Sequence, residues 1–291
     1  MERTYDAIKA NLFPASHQAI GNWDKFPWHR DRSGTIQTYK LESSQALAID
    51  VFGTIKVSAE RDRILGALAR ECGVPDRGPW RLELEWVDKD RLLHEPRPTQ
   101  VDAIAIGPEA VLVIECKFTE LGGGCSQVKP IKTGAHRGVR QCNGNYVKQI
   151  NAANGKEANC ALTGKGVGYW DAIPKIYGLD AAQDYLPCPF KGEAYQWMRN
   201  VVLANNLAAA RGVSSAVIAA YADRQGLPTA EKARSGILGH RALSGQVLIK
   251  PMSYQAIVAL AKSLSECPQE WGALAQWVER KIDTVPHKSA G

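Results

Sequence analysis

The stretch VDAIAIGPEAVLVIECKF, residues 101–118, combines two apolar runs with three charged side chains that apolar packing does not require. The Gly-Pro pair between the runs predicts a β-hairpin. If the turn is centred on residues 108–109, the register places Asp102 directly opposite Glu115. Lys117 lies two residues further along on the same face, because successive strand residues alternate between faces. The hairpin is therefore predicted to gather two carboxylates and one ammonium group.

This juxtaposition has a chemical interpretation and a structural one. Opposed like charges destabilise a sheet, and two close carboxylates stay ionised only beside a cation. A hard divalent ion, Mg²⁺ above all, prefers such oxygen ligands. Lys117 would then orient or deprotonate an attacking water, or neutralise charge on a phosphate. The alternative is a structural ion pair between Glu115 and Lys117, with Asp102 capping a strand end.

The order of these residues resembles a known signature. Asp102, followed by Glu115-Cys116-Lys117 at the end of an apolar strand, is similar to the D…ExK motif of the PD-(D/E)xK, or restriction-endonuclease-like, nuclease superfamily. Val101 precedes the aspartate in place of the signature's proline. The resemblance implies that Mg²⁺ (or Mn²⁺) is bound by Asp102, Glu115 and the backbone carbonyl of Cys116, with Lys117 acting on the water.

The resemblance covers roughly residues 39–222 and implies further site residues. The stretches SSQALAIDVFG and YQWMRN are similar to a bacterial and phage subgroup of restriction endonucleases. Superfamily members often add an acidic or amide residue on an upstream helix, for which Glu42 and Gln45 are candidates. Each could equally be a solvated residue of the first helical turn. The helix after the motif often supplies a Gln or Tyr near the scissile phosphate, and Tyr146 and Gln149 are candidates.

The order of predicted elements indicates the fold. An amphipathic helix from Ser44, three strands, several helices and a strand at 214–222 predict an α/β fold. We expect a restriction-endonuclease-like core, with a mixed central sheet flanked by helices. Residues 1–38 are predicted to be an irregular N-terminal segment. Residues 39–291 then form the nuclease domain, with a cysteine-containing insertion at about 119–192.

Four of the seven cysteines lie in polar, glycine-containing loops rather than in apolar runs. In a reducing compartment, such cysteines indicate thiolate coordination of zinc or of an iron–sulfur cluster such as 4Fe-4S. Their spacings are wide and include no CxxC pair, so ordinary buried or free thiols are the alternative. His136 could replace one ligand. The candidate metal ligands are Cys125, Cys142, Cys160 and Cys188.

Basic residues interleaved with glycines follow the hairpin. Cationic side chains on such a loop suit contacts to phosphates, which position a nucleic acid without reading its bases. A solvated loop is the alternative. The candidate nucleic-acid contacts are Lys129, Lys132, Arg137, Arg140 and Tyr146. A second region could stack on single strands or serve for packing alone; it comprises Trp23, Trp28, His29 and Arg30.

Composition limits the functional classes. The net charge of +6 permits a nucleic-acid partner without establishing one. No membrane span and no signal-peptide pattern are seen, which predicts a cytoplasmic protein. No nucleotide-binding motif is present, and a homodimer is a further expectation from the resemblance. The leading hypothesis is a Mg²⁺-dependent DNA nuclease. The alternatives are a non-catalytic nucleic-acid-binding or scaffold protein on the same fold, and a structural zinc protein.

Overall fold

A mixed β-sheet organises the protein. The computed structural model describes residues 2–120, 122–146, 160–234 and 249–285. Within these residues, five strands form one sheet in the order β1-β2-β3-β4-β5. The first three strands pair antiparallel, and the last two join in parallel. The strands are β1 Arg81–Val87, β2 Gln100–Ile106, β3 Ala110–Lys117, β4 Ser214–Tyr221 and β5 Ile249–Ser253.

Helices cover both faces of the sheet, so the predicted α/β fold with a mixed, helix-flanked sheet is confirmed. No helix in the described ranges is long and apolar enough to cross a membrane. A π-helical turn, Ile49–Gly53, joins α2 to α3. The helices are α1 Glu2–Ala10, α2 Ser44–Ala48, α3 Thr54–Val57, α4 Arg61–Glu71, α5 Tyr169–Tyr177, α6 Ala194–Arg211, α7 Pro228–Arg234, α8 Tyr254–Leu264 and α9 Pro268–Thr284.

Strand β3 lies at the centre, and each of its eight residues is buried. Alternate side chains of β3 enter two different cores. Leu112 and Ile114 pack with α2–α4, α8 and α9. Val111 and Val113 pack with α5 and α6 on the other face. A strand buried on both faces reads as a continuous apolar run, which is why charged residues at its carboxyl end stand out.

The register of the β2–β3 hairpin is the predicted one. Ala103 pairs with Ile114, and Ile106 pairs with Val111. The turn is closed by a hydrogen bond of 2.9 Å from the Gly107 N–H to the Ala110 carbonyl. Because the hydrophobic pattern and the turn fix the register together, no slip by one residue is compatible with the buried face.

The N-terminal region differs in part from its prediction. Residues 1–38 were expected to be irregular, but they include α1 and a 3₁₀ helix, Pro14–Ile20. Ile8, Leu12 and Trp28 form a small core there with residues of the helical run that starts at α2. The helix predicted from Ser44 is present. The Ser43 hydroxyl caps it, accepting a hydrogen bond of 3.2 Å from the Ala46 N–H.

Candidate active site

The carboxyl end of β3 carries a buried ion pair. Lys117 Nζ lies 2.6 Å from Glu115 Oε1, and the two side chains are 7% and 4% exposed. The two residues share one face of the strand, as predicted from the alternation of side chains. The structural alternative also predicts this contact, so the ion pair alone does not assign a function. The surrounding charges decide between the two interpretations.

Helix α6 holds the carboxylate of Glu115 from above the sheet. The side-chain amide of Gln196 donates a hydrogen bond to Oε1. Asn200, one turn further along α6, donates to Oε2 at 2.8 Å. Glu115 is therefore fixed by three donors: two neutral amides and one ammonium. Such a carboxylate is oriented before any ligand arrives.

Asp102 on β2 lies beside this pair and is half-buried. Its Oδ2 accepts a hydrogen bond of 2.7 Å from the backbone N–H of Cys116. Burial and the neighbouring charges of Glu115 and Glu85 raise the pKa of Asp102 well above its ordinary value, although Lys117 opposes the increase. The charged form of Asp102 is therefore disfavoured by burial first and by the neighbouring carboxylates second.

A third carboxylate completes a row across three neighbouring strands. The register of β1 with β2 places Glu85 opposite Asp102, between the pairs Leu84–Ala103 and Trp86–Val101. Glu85 is buried and has a φ of +50°, a left-handed conformation that non-glycine residues seldom adopt. Backbone strain of this kind persists where the surrounding contacts enforce it, which is common at functional sites.

Two glutamines hold the carboxylate of Glu85. Gln45 Nε2 donates to Oε1 at 2.6 Å, and Gln100 Nε2 donates to Oε2 at 2.5 Å. The side-chain oxygen of Gln45 is already occupied, since it accepts hydrogen bonds from the backbone N–H of His29 at 2.9 Å and from the hydroxyl of Thr38. Gln45 therefore positions Glu85.

His29 joins the carboxylates at the rim of the site. One ligand atom each from His29, Glu85 and Asp102 lies within 4.8 Å of the other two, a spacing that suits a shared metal ion. Burial lowers the pKa of His29, but the nearby charges of Glu85 and Asp102 outweigh this effect and raise it. The open cleft has a volume of about 300 Å³. It is lined by His29, Ser44, Glu85, Gln100, Asp102, Glu115, Cys116, Lys117, Glu120 and Gln196.

The charges in this cleft do not balance. Four carboxylates, Glu85, Asp102, Glu115 and Glu120, line it together with one buried ammonium group and His29. Burial lowers the pKa of Lys117, but Glu115 and Asp102 outweigh it and raise the pKa above its ordinary value. Lys117 is therefore an ammonium group at neutral pH, suited to donating hydrogen bonds and not to removing a proton. The remaining negative charge calls for a bound cation or a proton.

Other predicted site residues have different placements. Glu42 is exposed in the turn before α2 and does not line the cleft. Gln149 and most of the predicted helix NYVKQINAA lie outside the described residues. The contact that the structure shows between Cys116 and Asp102 uses the N–H of Cys116. The metal contact predicted for its carbonyl stays a prediction.

The prediction that Tyr146 contacts the nucleic acid does not fit its placement. Tyr146 is 3% exposed and stacks on Trp170 with ring centroids 3.7 Å apart. Its hydroxyl donates to the Ala181 carbonyl at 3.0 Å. Trp28 is also buried, in an aromatic cluster with Trp23 and Tyr5, as the packing alternative predicted. Tyr146 and Trp28 are therefore packing residues of the fold.

The cysteine loops and the basic loop form one region. The four cysteines singled out in the sequence line one cavity. The basic side chains lie on an exposed finger between the first two of them, closed by hydrogen bonds from the Ile131 N–H to the Val139 carbonyl and from the Gly138 N–H to the Ile131 carbonyl. The exposed basic residues are Lys129, Lys132, Arg137 and Arg140.

Sequence patterns alone did not identify Glu85, Gln196 and Asn200. The alternation in RLELEWV placed Glu85 on a polar face, which is ordinary for a half-exposed strand. Gln196 and Asn200 lie four residues apart and so share one face of α6, and that spacing was the available signal. Nothing in the local sequence indicates that this face meets Glu115, about eighty residues earlier in the chain.

Comparison with known proteins adds one finding. The family model described as restriction endonuclease associating with ARP matches residues 15–277. This range includes the strands and helices that carry the carboxylates, Lys117, the glutamines and the four cavity cysteines. No match was found among curated proteins or among solved structures.

Proposed function

Since this chain belongs to the family of restriction endonucleases associating with ARP, we propose that it is a metal-dependent nuclease that hydrolyses phosphodiester bonds in DNA. The observation that carries the proposal is the row of carboxylates from β1, β2 and β3 beside a buried lysine. Such a row has no packing role, because it leaves net negative charge in a partly buried cleft. The family description also names an association with ARP, and we extend that partner to this chain as part of the proposal.

The donor set fits Mg²⁺ or Mn²⁺. Both ions prefer carboxylate oxygens, and Mg²⁺ commonly uses one or two carboxylates together with water and substrate phosphate. Asp102 would hold the ion together with Glu115 or Glu85, since ligand atoms of Asp102, Glu85 and His29 lie within 4.8 Å of one another while Glu115 is not in that set. Burial and the neighbouring carboxylates raise the pKa of Asp102, and a bound divalent cation would offset both effects, which supports this assignment. When bound, the ion supplies an activated water and stabilises charge on the phosphate.

The protein's own groups have separate roles in this mechanism. The ammonium of Lys117 donates hydrogen bonds to the attacking water or to a phosphate oxygen, and so stabilises charge that develops in the transition state. Gln196 and Asn200 keep the Glu115 carboxylate in place. Gln45 does the same for Glu85. His29, at the exposed rim, is placed to contact a phosphate of the bound strand.

The basic finger would extend the binding surface. Its side chains are exposed, and their charge suits the phosphate backbone, which supplies most of the sequence-independent affinity. We assign them to positioning DNA and not to base recognition, because long flexible cations contact phosphates readily. Homodimerisation and a cytoplasmic location stay predictions beside this proposal.

One experiment tests the proposal against a non-catalytic binding protein on the same fold. The full chain is incubated with linear duplex, supercoiled circular and single-stranded DNA, each with Mg²⁺, Mn²⁺ or EDTA. We expect cleavage of at least one substrate with Mg²⁺ or Mn²⁺ and none in EDTA. Glu115→Ala is the inactive control. DNA binding without cleavage in every condition, or cleavage that persists in Glu115→Ala, would refute the proposal.

A further inference from the structure

A second candidate site lies in the cysteine-containing insertion. Cys125, Cys142, Cys160 and Cys188 are separated by up to 63 positions, yet all four line a single cavity of about 40 Å³. A cavity of this size exceeds the roughly 10–15 Å³ that one water needs. Its other walls are mainly apolar and include Leu162, Trp170, Phe190 and Met198. Four thiols gathered at one pocket from distant positions supply the donor set that a thiolate-bound metal centre uses.

Backbone hydrogen bonds hold three of the cysteine loops together in a closed set. The Cys125 N–H donates to the Lys191 carbonyl at 3.2 Å, which joins the first loop to the fourth. The Cys142 N–H donates to the Gln127 carbonyl at 3.1 Å, and the Cys188 N–H donates to the Gly144 carbonyl at 2.9 Å. Each loop is thus fixed against the next before any disulfide or ligand is considered. All four cysteines have free thiols.

The segment of Cys160 is held by a side chain. Lys165, in the turn that follows Cys160, donates to the side-chain carbonyl of Gln127 at 2.5 Å and to that of Gln141. These glutamines lie next to the loops of Cys125 and Cys142. The thiol of Cys160 is therefore brought to the cavity by contacts between its own segment and the loops of Cys125 and Cys142.

A backbone N–H points at one of the cysteine sulfurs. The Gly144 N–H donates to Cys142 Sγ at 3.3 Å. The donor lies two residues after the cysteine. Such a donor stabilises charge on sulfur, as donors around metal-bound thiolates do.

Gly144 is required for this geometry. Its φ is +89°, and a Cβ there would lie 3.2 Å from the side chain of Lys191. A left-handed residue two positions after the loop cysteine turns the chain so that its N–H faces the sulfur. The sequence CNG is therefore suited to a thiolate ligand loop.

The spacing of the sulfurs discriminates between ligands. Four thiolates on one zinc ion, with bonds of about 2.3 Å in a tetrahedron, lie about 3.8 Å apart. In the part of the chain that the structure describes, no three of these cysteine sulfurs lie within 4.8 Å of one another. A set of thiolates spread around a larger cavity suits a polynuclear centre, and four cysteines are the usual ligand set of iron–sulfur clusters.

We propose that Cys125, Cys142, Cys160 and Cys188 bind an iron–sulfur cluster that holds the insertion on helix α6. Tyr195 and Met198 of α6 line the cysteine cavity, while Gln196 and Asn200 of the same helix hold Glu115. The cluster would therefore fix the helix that positions the catalytic carboxylate, and also the base of the basic finger. This assignment does not depend on nuclease activity.

The test measures iron and acid-labile sulfide in the full chain purified without oxygen. We expect equal amounts of both, about two or about four per chain, with visible absorption that is bleached by dithionite. Cys142→Ser and Cys160→Ser should each lower the iron content severalfold and lower the melting temperature. Cys267→Ser is the matched control, because Cys267 is exposed and lies outside the cavity, and it should keep the full iron content.

Two results would overturn the proposal. Zinc at one equivalent per chain without iron would refute the cluster assignment. Protein that contains neither metal, and that takes up no iron after reconstitution with Fe²⁺ and sulfide, would refute the site itself. Both measurements use the unmodified chain, so they stand even if a cysteine variant fails to fold. A nuclease that proves inactive but carries the cluster would refute only the proposed function.

Discussion

Replacing Asp102 with asparagine separates a functional carboxylate from a structural one. Asparagine keeps the shape and can still accept the hydrogen bond from the Cys116 N–H, but it removes one negative charge from the row. Ligand atoms of Asp102 and Glu85 lie within 4.8 Å of each other. At that distance two like charges repel by about 3.5 kcal/mol at an effective dielectric constant of 20. We therefore expect Asp102→Asn to stabilise the metal-free protein while abolishing cleavage.

The expected gain in the free energy of unfolding is smaller than the full repulsion energy between the two carboxylates. Partial protonation of Asp102 and solvent screening reduce it to about 1–2 kcal/mol. For a chain of this size that corresponds to an increase in melting temperature of about 2–6 °C. The gain depends on pH with a definite sign. Because the folded pKa of Asp102 is raised, the native carboxyl releases its proton at higher pH than the unfolded one, so wild-type stability falls as pH rises above about 4. The advantage of the variant should grow over that range.

Calorimetry in EDTA and in Mg²⁺, across pH 4 to 8, measures both effects. Asp50→Asn is the matched control. Asp50 is fully buried and bonds to Lys281 at 2.5 Å, to the Phe13 N–H at 2.6 Å and to Trp277 at 3.0 Å. Breaking that structural pair should cost about 3–5 kcal/mol. Asp102 is structural if Asp102→Asn also destabilises the protein in EDTA and if Mg²⁺ raises the melting temperature of the variant as much as that of the wild type.

Three further predictions follow from the same geometry. Lys117→Ala should lower turnover roughly 10²–10⁴-fold with metal binding retained. Lys117→Arg should not restore turnover, since a guanidinium is too large for the buried site. Cleavage by Lys117→Ala at the wild-type rate would mean that Lys117 only forms an ion pair. Ca²⁺ should support DNA binding but little cleavage, because its loose coordination positions water poorly; cleavage equal to that with Mg²⁺ would contradict this. The double variant Arg137→Ala/Arg140→Ala should weaken DNA binding uniformly across sequences. The slope of log binding constant against log salt concentration should fall in magnitude by about 1 per lost phosphate contact. An unchanged slope would mean that the finger does not contact DNA.

The hairpin could be predicted from sequence because local rules determine it. A short turn fixes the register, and alternation then places Glu115 and Lys117 on one face. The position of Glu85 could not be predicted in the same way. Residues 88–99 connect β1 to β2, and a connection of that length does not set a register. The strained φ of Glu85 is likewise enforced by tertiary contacts, with no glycine to signal it.

The gathering of the cysteines was only partly predictable. Their polar, glycine-containing surroundings distinguished them from core cysteines, but wide spacing hid which loops meet. Tyr146 is a different case, since the resemblance implied a contact with the scissile phosphate, while stacking on Trp170 buries the ring. Long-range packing decides both cases, and a single sequence carries little information on packing between distant segments.

Crystals of the protein soaked in Mn²⁺ would show whether the cleft binds a metal ion, because the anomalous signal locates the ion without any assay of activity. We expect a peak in the cleft about 2.1 Å from an oxygen of Asp102, with Glu115 or Glu85 as a further ligand and no peak at this position in Asp102→Asn crystals. An empty cleft at saturating Mn²⁺, with the Glu115–Lys117 ion pair unchanged, would contradict this expectation.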